Sequence, residues 1–182
     1  RDINGNNQNK REENLDVIID ETDRLSNVVD DILNLSQLQS GYMKIYREVF
    51  DINELAESTL NKYKAVAEKN GIGLKVEKDL NESLVNADTK KMEQVFHNLI
   101  SNAISNTSEG GEIIIKISDL GSKYKTEIKD TGKGIPKEEL KYIWDKYYKS
   151  ESSCNKFKRG TGLGLSIVKN ILEAHEFIFG VD

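Results

Sequence analysis

Between residues 12 and 39, Leu15, Ile18, Thr22, Leu25, Val29 and Ile32 recur at steps of three and four, a spacing that predicts one continuous amphipathic helix. Ile19, Val28, Leu33, Leu35 and Leu38 flank this seam, and Asp16, Asp20, Glu21, Asp23, Asp30 and Asp31 fall on the other face. At ~1.5 Å per residue the helix would run on the order of 40 Å, longer than one domain face covers. No second helix of matching length is legible in the chain. The stripe therefore needs an upstream hairpin partner, a second chain, or both, and a bundle dimer is the expectation. The alternative is a lone helix folded back on its own globular domain. Residues 4–9, polar and containing Gly5, read as a loop or a frayed start.

Near Gly41 the pattern changes from heptad-like to mixed. Residues 49–52 read as a short strand, and Asn53 as the cap of a helix running to about residue 69, ended by Asn70 and Gly71. Apolar and polar residues alternate over 72–78, as in a half-buried strand, with a shorter strand at 84–87. Thr89 begins a helix reaching about residue 106. Gly110 and Gly111 turn the chain into a strand at 112–119, and Gly121 with Ser122 marks a hairpin to a strand at 125–129. Pro136, the only proline, suits the first turn of a helix through residue 144, and a last helix spans about 163–174. These expectations define an α+β chain: a two-layer α/β sandwich over 42–182, preceded by a helical region over 1–41.

Composition narrows the chemistry. The 182 residues suffice for one full core, and no apolar run approaches the ~18 residues of a membrane span, so a soluble region is expected. The 26 Lys and Arg against 31 Asp and Glu leave a net charge of −5, which argues against a general nucleic-acid or anionic-membrane surface; phosphate affinity would have to be local. Cys154 is the only cysteine and cannot form an internal disulfide, so a reducing, cytoplasmic setting is the simpler expectation. The chain opens at Arg1 and stops within the apolar stretch 177–181, and is read as a piece of something larger.

Three segments carry the chemistry. On the helix from Thr89, a predicted buried face of Met92, Val95, Phe96, Leu99 and Ala103 lies beside a stripe of Lys91, Gln94, Asn98, Asn102 and Ser105. Asn98 and Asn102, one turn apart, offer amide oxygens suited to a hard cation such as Mg2+, although a solvated polar face is the plainer reading. In Asp130-Thr131-Gly132-Lys133-Gly134-Ile135-Pro136, two glycines let the backbone approach a flat ligand, and a carboxylate can accept from an exocyclic amine, which fits adenine; a plain Asp/Gly turn is the other reading. Gly160-Thr161-Gly162-Leu163-Gly164-Leu165 opens the last helix, where backbone N–H groups and the helix dipole face phosphate. The polar loop 150–159 ahead of it is a candidate lid, or simply a surface loop.

Together and in this order, the segments resemble the ATP-binding domain of sensor histidine kinases, the Bergerat-type fold shared with gyrase, mismatch-repair and heat-shock chaperone ATPases. Residues 93–107 resemble the N box, 130–136 the G1 box, 143–149 the F box and 160–169 the G2 box. The first forty residues, through Asp23-Arg24-Leu25 and Asp31-Ile32-Leu33-Asn34-Leu35-Ser36-Gln37-Leu38, resemble the second helix of the dimerisation and phosphotransfer hairpin. The resemblance implies that Asn102 ligates Mg2+, with Asn98 assisting at the metal and phosphates. It implies that Asp130 holds the adenine amine while Gly132 and Gly134 shape that pocket, that Lys149 reaches the phosphates, and that Ile135 and Tyr148 are among the cofactor-binding residues. Gly160, Thr161, Gly162, Leu163 and Gly164 would line the return of the lid. It further implies a homodimer, a response-regulator receiver domain as partner, no nucleic acid, and a cytoplasmic region whose parent is anchored in a bacterial membrane through upstream segments.

Departures from the family pattern are specific. Ser105 and Asn106 stand where a Lys and an aromatic are usual, so Lys146, Lys149 or Lys158 would have to supply a phosphate contact. Trp144, Tyr147 and Tyr148 replace the commoner phenylalanines, and Glu176 and Phe177 replace a glycine pair after His175, with the closing strands expected to be absent. Hydrolysing cousins carry a glutamate where this chain has Asn98, a poor base for activating water, so transfer is favoured over hydrolysis. The phosphoacceptor histidine would lie upstream: His97 reads as a structural histidine on the N-box helix, and His175 as a polar tip at a helix C-terminus. The leading expectation is the ATP-binding region of a histidine kinase. A degenerate nucleotide-binding or dimerisation module is the alternative, and a Bergerat ATPase acting on DNA or client proteins is a third reading.

Overall fold

The computed structural model describes residues 11, 14, 15, 18, 22, 43–149 and 161–181. The chain divides into two compact units, Arg1–Tyr42 and Met43–Asp182. In the first, Arg11, Asn14, Leu15, Ile18 and Thr22 are helical, and the Thr22 hydroxyl donates to the Ile18 carbonyl at 2.7 Å. Leu15 and Ile18 are 56% and 60% exposed. The remainder of the long helix read from the sequence lies outside the described residues.

The second unit runs β1 (Glu48–Asp51), α1 (Ile52–Lys62), α2 (Lys64–Lys69), β2 (Gly73–Lys78), β3 (Leu84–Ala87), α3 (Thr89–Asn106), β4 (Glu112–Asp119), β5 (Tyr124–Asp130) and α4 (Gly164–Ala174). β1 and β3 form an antiparallel pair; β2, β4 and β5 form a mixed sheet in that order, with β2 parallel and β5 antiparallel to β4. β4 shows why the sheet forms. Its sequence Glu-Ile-Ile-Ile-Lys-Ile-Ser-Asp alternates about β-branched residues, and Ile113, Ile115 and Ile117 are completely buried on one face. Register sets Leu74 and Val76 of β2 beside Ile113 and Ile115, and Ile128 of β5 beside Ile115.

The helices cover that face through Leu55, Ala56 and Leu60 of α1, Met92, Val95, Phe96, Ile100 and Ala103 of α3, and Ile167, Val168 and Ile171 of α4. Each of the larger of these side chains contributes about 1.5–3 kcal/mol by burial, and the alanines less. The opposite face is a charge lattice in which Glu77 and Glu127 sit beside Lys75, Lys116, Lys125 and Lys129. The hydrogen bond from Lys75 holds the Glu77 carboxyl below its ordinary value, and the one from Lys125 does the same for Glu127. The result is a mixed α/β fold of helices packed on a sheet, as the α+β expectation had it.

The structure corrects several local expectations. Asp51, not Asn53, caps α1: its Oδ1 accepts from the Asn53 and Ser83 amides at 2.9 and 3.0 Å, while Asn53 is buried and donates Nδ2 to the Leu80 carbonyl at 3.1 Å. The helix expected through residue 69 is broken at Tyr63, whose N–H bonds the Leu60 carbonyl at 3.0 Å and whose ring packs against His97 at 5.6 Å between centroids. Residues 136–144 form turns and not the expected helix. Glu139, Tyr142 and Asp145 donate to carbonyls three residues earlier, and these turns bury Ile143 and set Trp144 edge-on to Phe179 at 5.2 Å. On α3, Ile100 is fully buried, whereas Leu99 is half-buried. His175, read as a polar tip at a helix C-terminus, is the C-cap of α4 and is buried.

Candidate nucleotide-binding site

β5 delivers Asp130 to the sheet end, opposite Ile113, and its carboxylate caps the turn that follows by accepting the Gly132 amide at 2.9 Å. Thr131 ties this turn to β4: its N–H donates to the Glu112 carbonyl at 3.1 Å, and its hydroxyl oxygen accepts the Glu112 amide at 2.9 Å. Gly132 is seated directly on the end of α3. A methyl group there would lie 2.5 Å from the Asn106 carbonyl oxygen and 2.6 Å from Asp130 Oδ1. Gly134, at φ +71°, has open space around it, and Ile135 beside it is 38% exposed.

On α3, Asn98 is half-buried and Asn102 is exposed one turn later. Asn106 Nδ2 donates to both the carbonyl and Oδ1 of Asn102, at 2.8 and 3.1 Å, which fixes the orientation of that amide. Asn98 Nδ2 is buried with no hydrogen-bond partner among the described residues, a costly state that a polar ligand would relieve.

The start of α4 closes on the same helix. A methyl at Gly164 would fall 3.6 Å from Asn98 Oδ1, an ordinary contact distance that places the α4 N-terminus beside the amide. Gly162, at φ +75°, is pressed against Tyr147: its carbonyl accepts the Tyr147 amide at 2.9 Å, and a methyl would lie 2.9 Å from Tyr147 Cα. Tyr147 itself has φ 64°, a conformation held in place by this contact. Leu163 is buried, and its amide donates to the exposed Thr161 hydroxyl oxygen at 3.3 Å. Tyr148 is half-buried with its ring 5.9 Å from that of Tyr142, and Lys149 is exposed.

The structure thus brings together Asp130 and Gly132 with Asn106, Asn106 with Asn102, Asn98 with Gly164, and Gly162 with Tyr147, next to Tyr148 and Lys149. Gly160, Lys158, Cys154 and the candidate lid lie outside the described residues. Among the described residues, no cluster of three or more His, Cys, Asp or Glu side chains could hold a metal by itself. The protein's oxygen donors at this place are the amides of Asn98 and Asn102, which fit Mg2+ only where a polyphosphate and water complete the shell.

Asn106, Thr131 and Tyr147 are residues whose structural parts here sequence reasoning missed. The four-residue step from Asn102 was a usable signal for Asn106; for Thr131 and Tyr147 the partners are remote in sequence. His97 is exposed and shares a hydrogen bond between its Nδ1 and the Tyr63 hydroxyl, which burial pushes up to about 12.

The profile of the histidine kinase-, DNA gyrase B- and HSP90-like ATPases matches residues 87–180, about half of the chain, and the chain belongs to that family. Within it, its similarity is to sensor histidine kinases. Sensor protein SrrB of Staphylococcus aureus strain N315 is 35% identical over 163 residues, which are 90% of this chain and 28% of SrrB. The nucleotide-free catalytic domain of histidine kinase ThkA matches with a TM-score of 0.63 at 31% identity, over 72% of this chain and 82% of that one. ThkA in complex with response regulator protein TrrA matches with a TM-score of 0.70 at 27% identity, over 91% of this chain and 45% of that one. Among the described residues, no helix is long and apolar enough to cross a membrane.

Proposed function

We propose that residues 42–182 bind Mg2+-ATP as the catalytic domain of a protein-histidine kinase, and that residues 1–41 belong to its dimerisation and phosphotransfer hairpin. The observation that carries this reading is the contiguity from Asp130 through Gly132 and Asn106 to Asn102, and from Asn98 to Gly164, which spans three of the four boxes. In it, Asp130 accepts the adenine amine beside Gly132, Gly134 and Ile135. Asn102 would ligate the metal, Asn98 would assist at the metal and phosphates, Lys149 would reach the phosphates, and Tyr148 would line the nucleotide site. Gly160, Thr161, Gly162, Leu163 and Gly164 present backbone N–H groups as the chain enters α4. The bound Mg2+ would neutralise charge on the triphosphate during transfer. An amide at position 98 is a poor base for activating water, which favours transfer over hydrolysis: the γ-phosphoryl would pass to a histidine outside this chain, with ADP as the leaving group, and onward to a response-regulator aspartate.

The exposed Leu15 and Ile18 support the homodimer, and the ThkA–TrrA complex supports a receiver-domain partner. Anchoring of a cytoplasmic region to a bacterial membrane belongs to the same reading. A fluorescent ATP analogue is expected to bind in the presence of Mg2+, to be released by EDTA, and to lose affinity with Asp130→Asn or Asn102→Ala. Equal binding by both variants refutes the assignment of these residues. Phosphorylation after the upstream helix is restored tests the transfer.

One observation favours a second reading. Asn102 Oδ1 already accepts from Asn106 Nδ2 at 3.1 Å, which leaves fewer lone pairs for a metal. A nucleotide-binding module without turnover follows if analogue binding is Mg2+-independent and the extended chain stays unphosphorylated.

A further inference from the structure

α3 and α4 meet at two places. One is the candidate site, where Asn98 faces Gly164. The other lies about 15 Å away along α3 from mid-helix Asn98, where the N-terminal cap of α3 meets the C-terminus of α4. There His175 is 1% exposed and both of its ring nitrogens are engaged. Its Nε2 accepts the Asp88 amide at 3.1 Å, which requires a lone pair on that nitrogen. The proton therefore sits on Nδ1, which donates to the Ile171 carbonyl at 2.7 Å. Asp88 is also buried and doubly used: Oδ1 accepts the Lys91 amide at 3.1 Å as the helix cap, and Oδ2 accepts the Tyr46 amide at 2.9 Å. Arg47 completes the arrangement by donating from Nη2 to the His175 carbonyl at 2.9 Å.

Tyr46 and Arg47 belong to residues 43–47, the segment with which the second unit begins. Their two fastenings grip different helices: Tyr46 holds the start of α3, and Arg47 holds the end of α4. A small rotation of α4 on α3 cannot preserve both, because the imidazole joining them has no unused polar atom with which to adapt. We propose that Asp88, His175, Tyr46 and Arg47 form a clasp that couples the leading segment 43–47 to ligand occupancy of the α3–α4 site. The clasp is closed when α4 is seated on Asn98 and opens as that seating loosens. This inference rests on the nucleotide reading of the site, since it needs a ligand that favours one seating of α4 over the other. Linkage is reciprocal, so what loosens the segment weakens the ligand by the same factor.

His175 is too buried for its replacement to be a clean test, whereas Arg47 is exposed and its loss leaves the core intact. The experiment follows amide hydrogen exchange at Tyr46 and Asp88 in the 182-residue chain, with and without Mg2+-AMPPNP, and measures AMPPNP affinity by calorimetry for wild type, Arg47→Ala and Arg47→Lys. AMPPNP is expected to slow exchange at both amides by about fivefold, Arg47→Ala to weaken AMPPNP by about the same factor, and Arg47→Lys, which keeps a donor, to recover most of it. A purely structural Arg47 would lower stability and leave the affinity alone. Binding of AMPPNP with no change in exchange, or with equal affinity in Arg47→Ala, overturns the clasp and spares the nucleotide reading. Failure of AMPPNP to bind any of the three proteins overturns both.

Discussion

Gly132 is the most exacting position in the site, and alanine there is the most informative single change. A methyl group would meet the Asn106 carbonyl oxygen at 2.5 Å, Asp130 Oδ1 at 2.6 Å and the Asn106 carbonyl carbon at 3.1 Å. Two of these are backbone atoms at the end of α3 and cannot rotate away, so the turn must lift off the helix by roughly half an ångström or more. Overpacking of this kind costs about 1–3 kcal/mol, and loss of the bond between Asp130 Oδ1 and the Gly132 amide adds about 1 kcal/mol. A loss of about 2–4 kcal/mol corresponds to a fall in Tm of roughly 6–12 °C. Gly134→Ala is the control. It meets nothing within 4 Å and is penalised only by φ +71°, about 1–2 kcal/mol and roughly 3–6 °C. Thermal melts followed by circular dichroism, paired with titration of a fluorescent ATP analogue, separate the two. Gly132→Ala should show the larger drop in Tm and at least a tenfold loss of affinity, because the moved turn carries Asp130 with it. A Gly132→Ala protein that melts like wild type, or that binds better than Gly134→Ala, would show that the turn is not seated on α3.

Other outcomes follow from the same structure. Asp51→Ala removes the acceptor of both the Asn53 and Ser83 amides and should cost about 1–3 kcal/mol in a denaturant melt. Ile115→Ala, at the centre of the sheet, should cost about 2–5 kcal/mol with no change in the shape of the far-ultraviolet spectrum. Because burial raises the Tyr63 hydroxyl to about 12 from its ordinary 10, its stabilisation is complete below pH 10 and lost as pH rises toward 12. Tyr63 is half-buried, so solvent screening holds this to roughly 1 kcal/mol, and Tyr63→Phe should abolish that alkaline slope in stability measured against pH. Glu77 and Glu127, held below the ordinary carboxylate range by Lys75 and Lys125, stabilise above that range and lose the effect as pH falls through their lowered values. That acid-side slope should flatten in high salt.

What could be read from the sequence was what short-range physics decides. The three-and-four spacing from Thr89 to Asn106 placed α3 because one turn of helix is enough to reveal a period, and the alternation through Ile113, Ile115 and Ile117 placed β4 for the same reason. Gly71, Gly110 and Gly121 lie in the turns between elements as expected, each at positive φ. Errors arose where a long-range partner outbid a local preference. Asn53 is a good capping residue, yet Asp51 has the Ser83 amide to satisfy as well and takes the cap, releasing Asn53 to bind Leu80. Pro136 is a good helix opener, but the chain beyond it buries Ile143 and lays Trp144 on Phe179, 35 residues further along the chain, through turns and not a helix. His175 likewise finds its partners at Asp88 and Arg47, far outside any sequence window.

The site divides along the same line. The motifs gave residue types: a carboxylate at 130, amides at 98 and 102, glycines where backbone had to come close. They did not give the joints between motifs, because each joint is a contact between segments remote in sequence. Asn106 makes this concrete. In the sequence it marks a departure from the kinase pattern, a polar residue where an aromatic is usual. In the structure its side chain fixes the amide of Asn102 while its carbonyl forms the wall against which Gly132 is pressed. The carbonyl would serve in any residue, so the contact with Gly132 places no demand on the side chain. The amide at position 106 is then free to differ from the family at the one point where it acts, the orientation of Asn102. A departure there bears on how the amide of Asn102, the proposed metal ligand, is held, and leaves the Asp130–Gly132 turn and its seat on α3 intact.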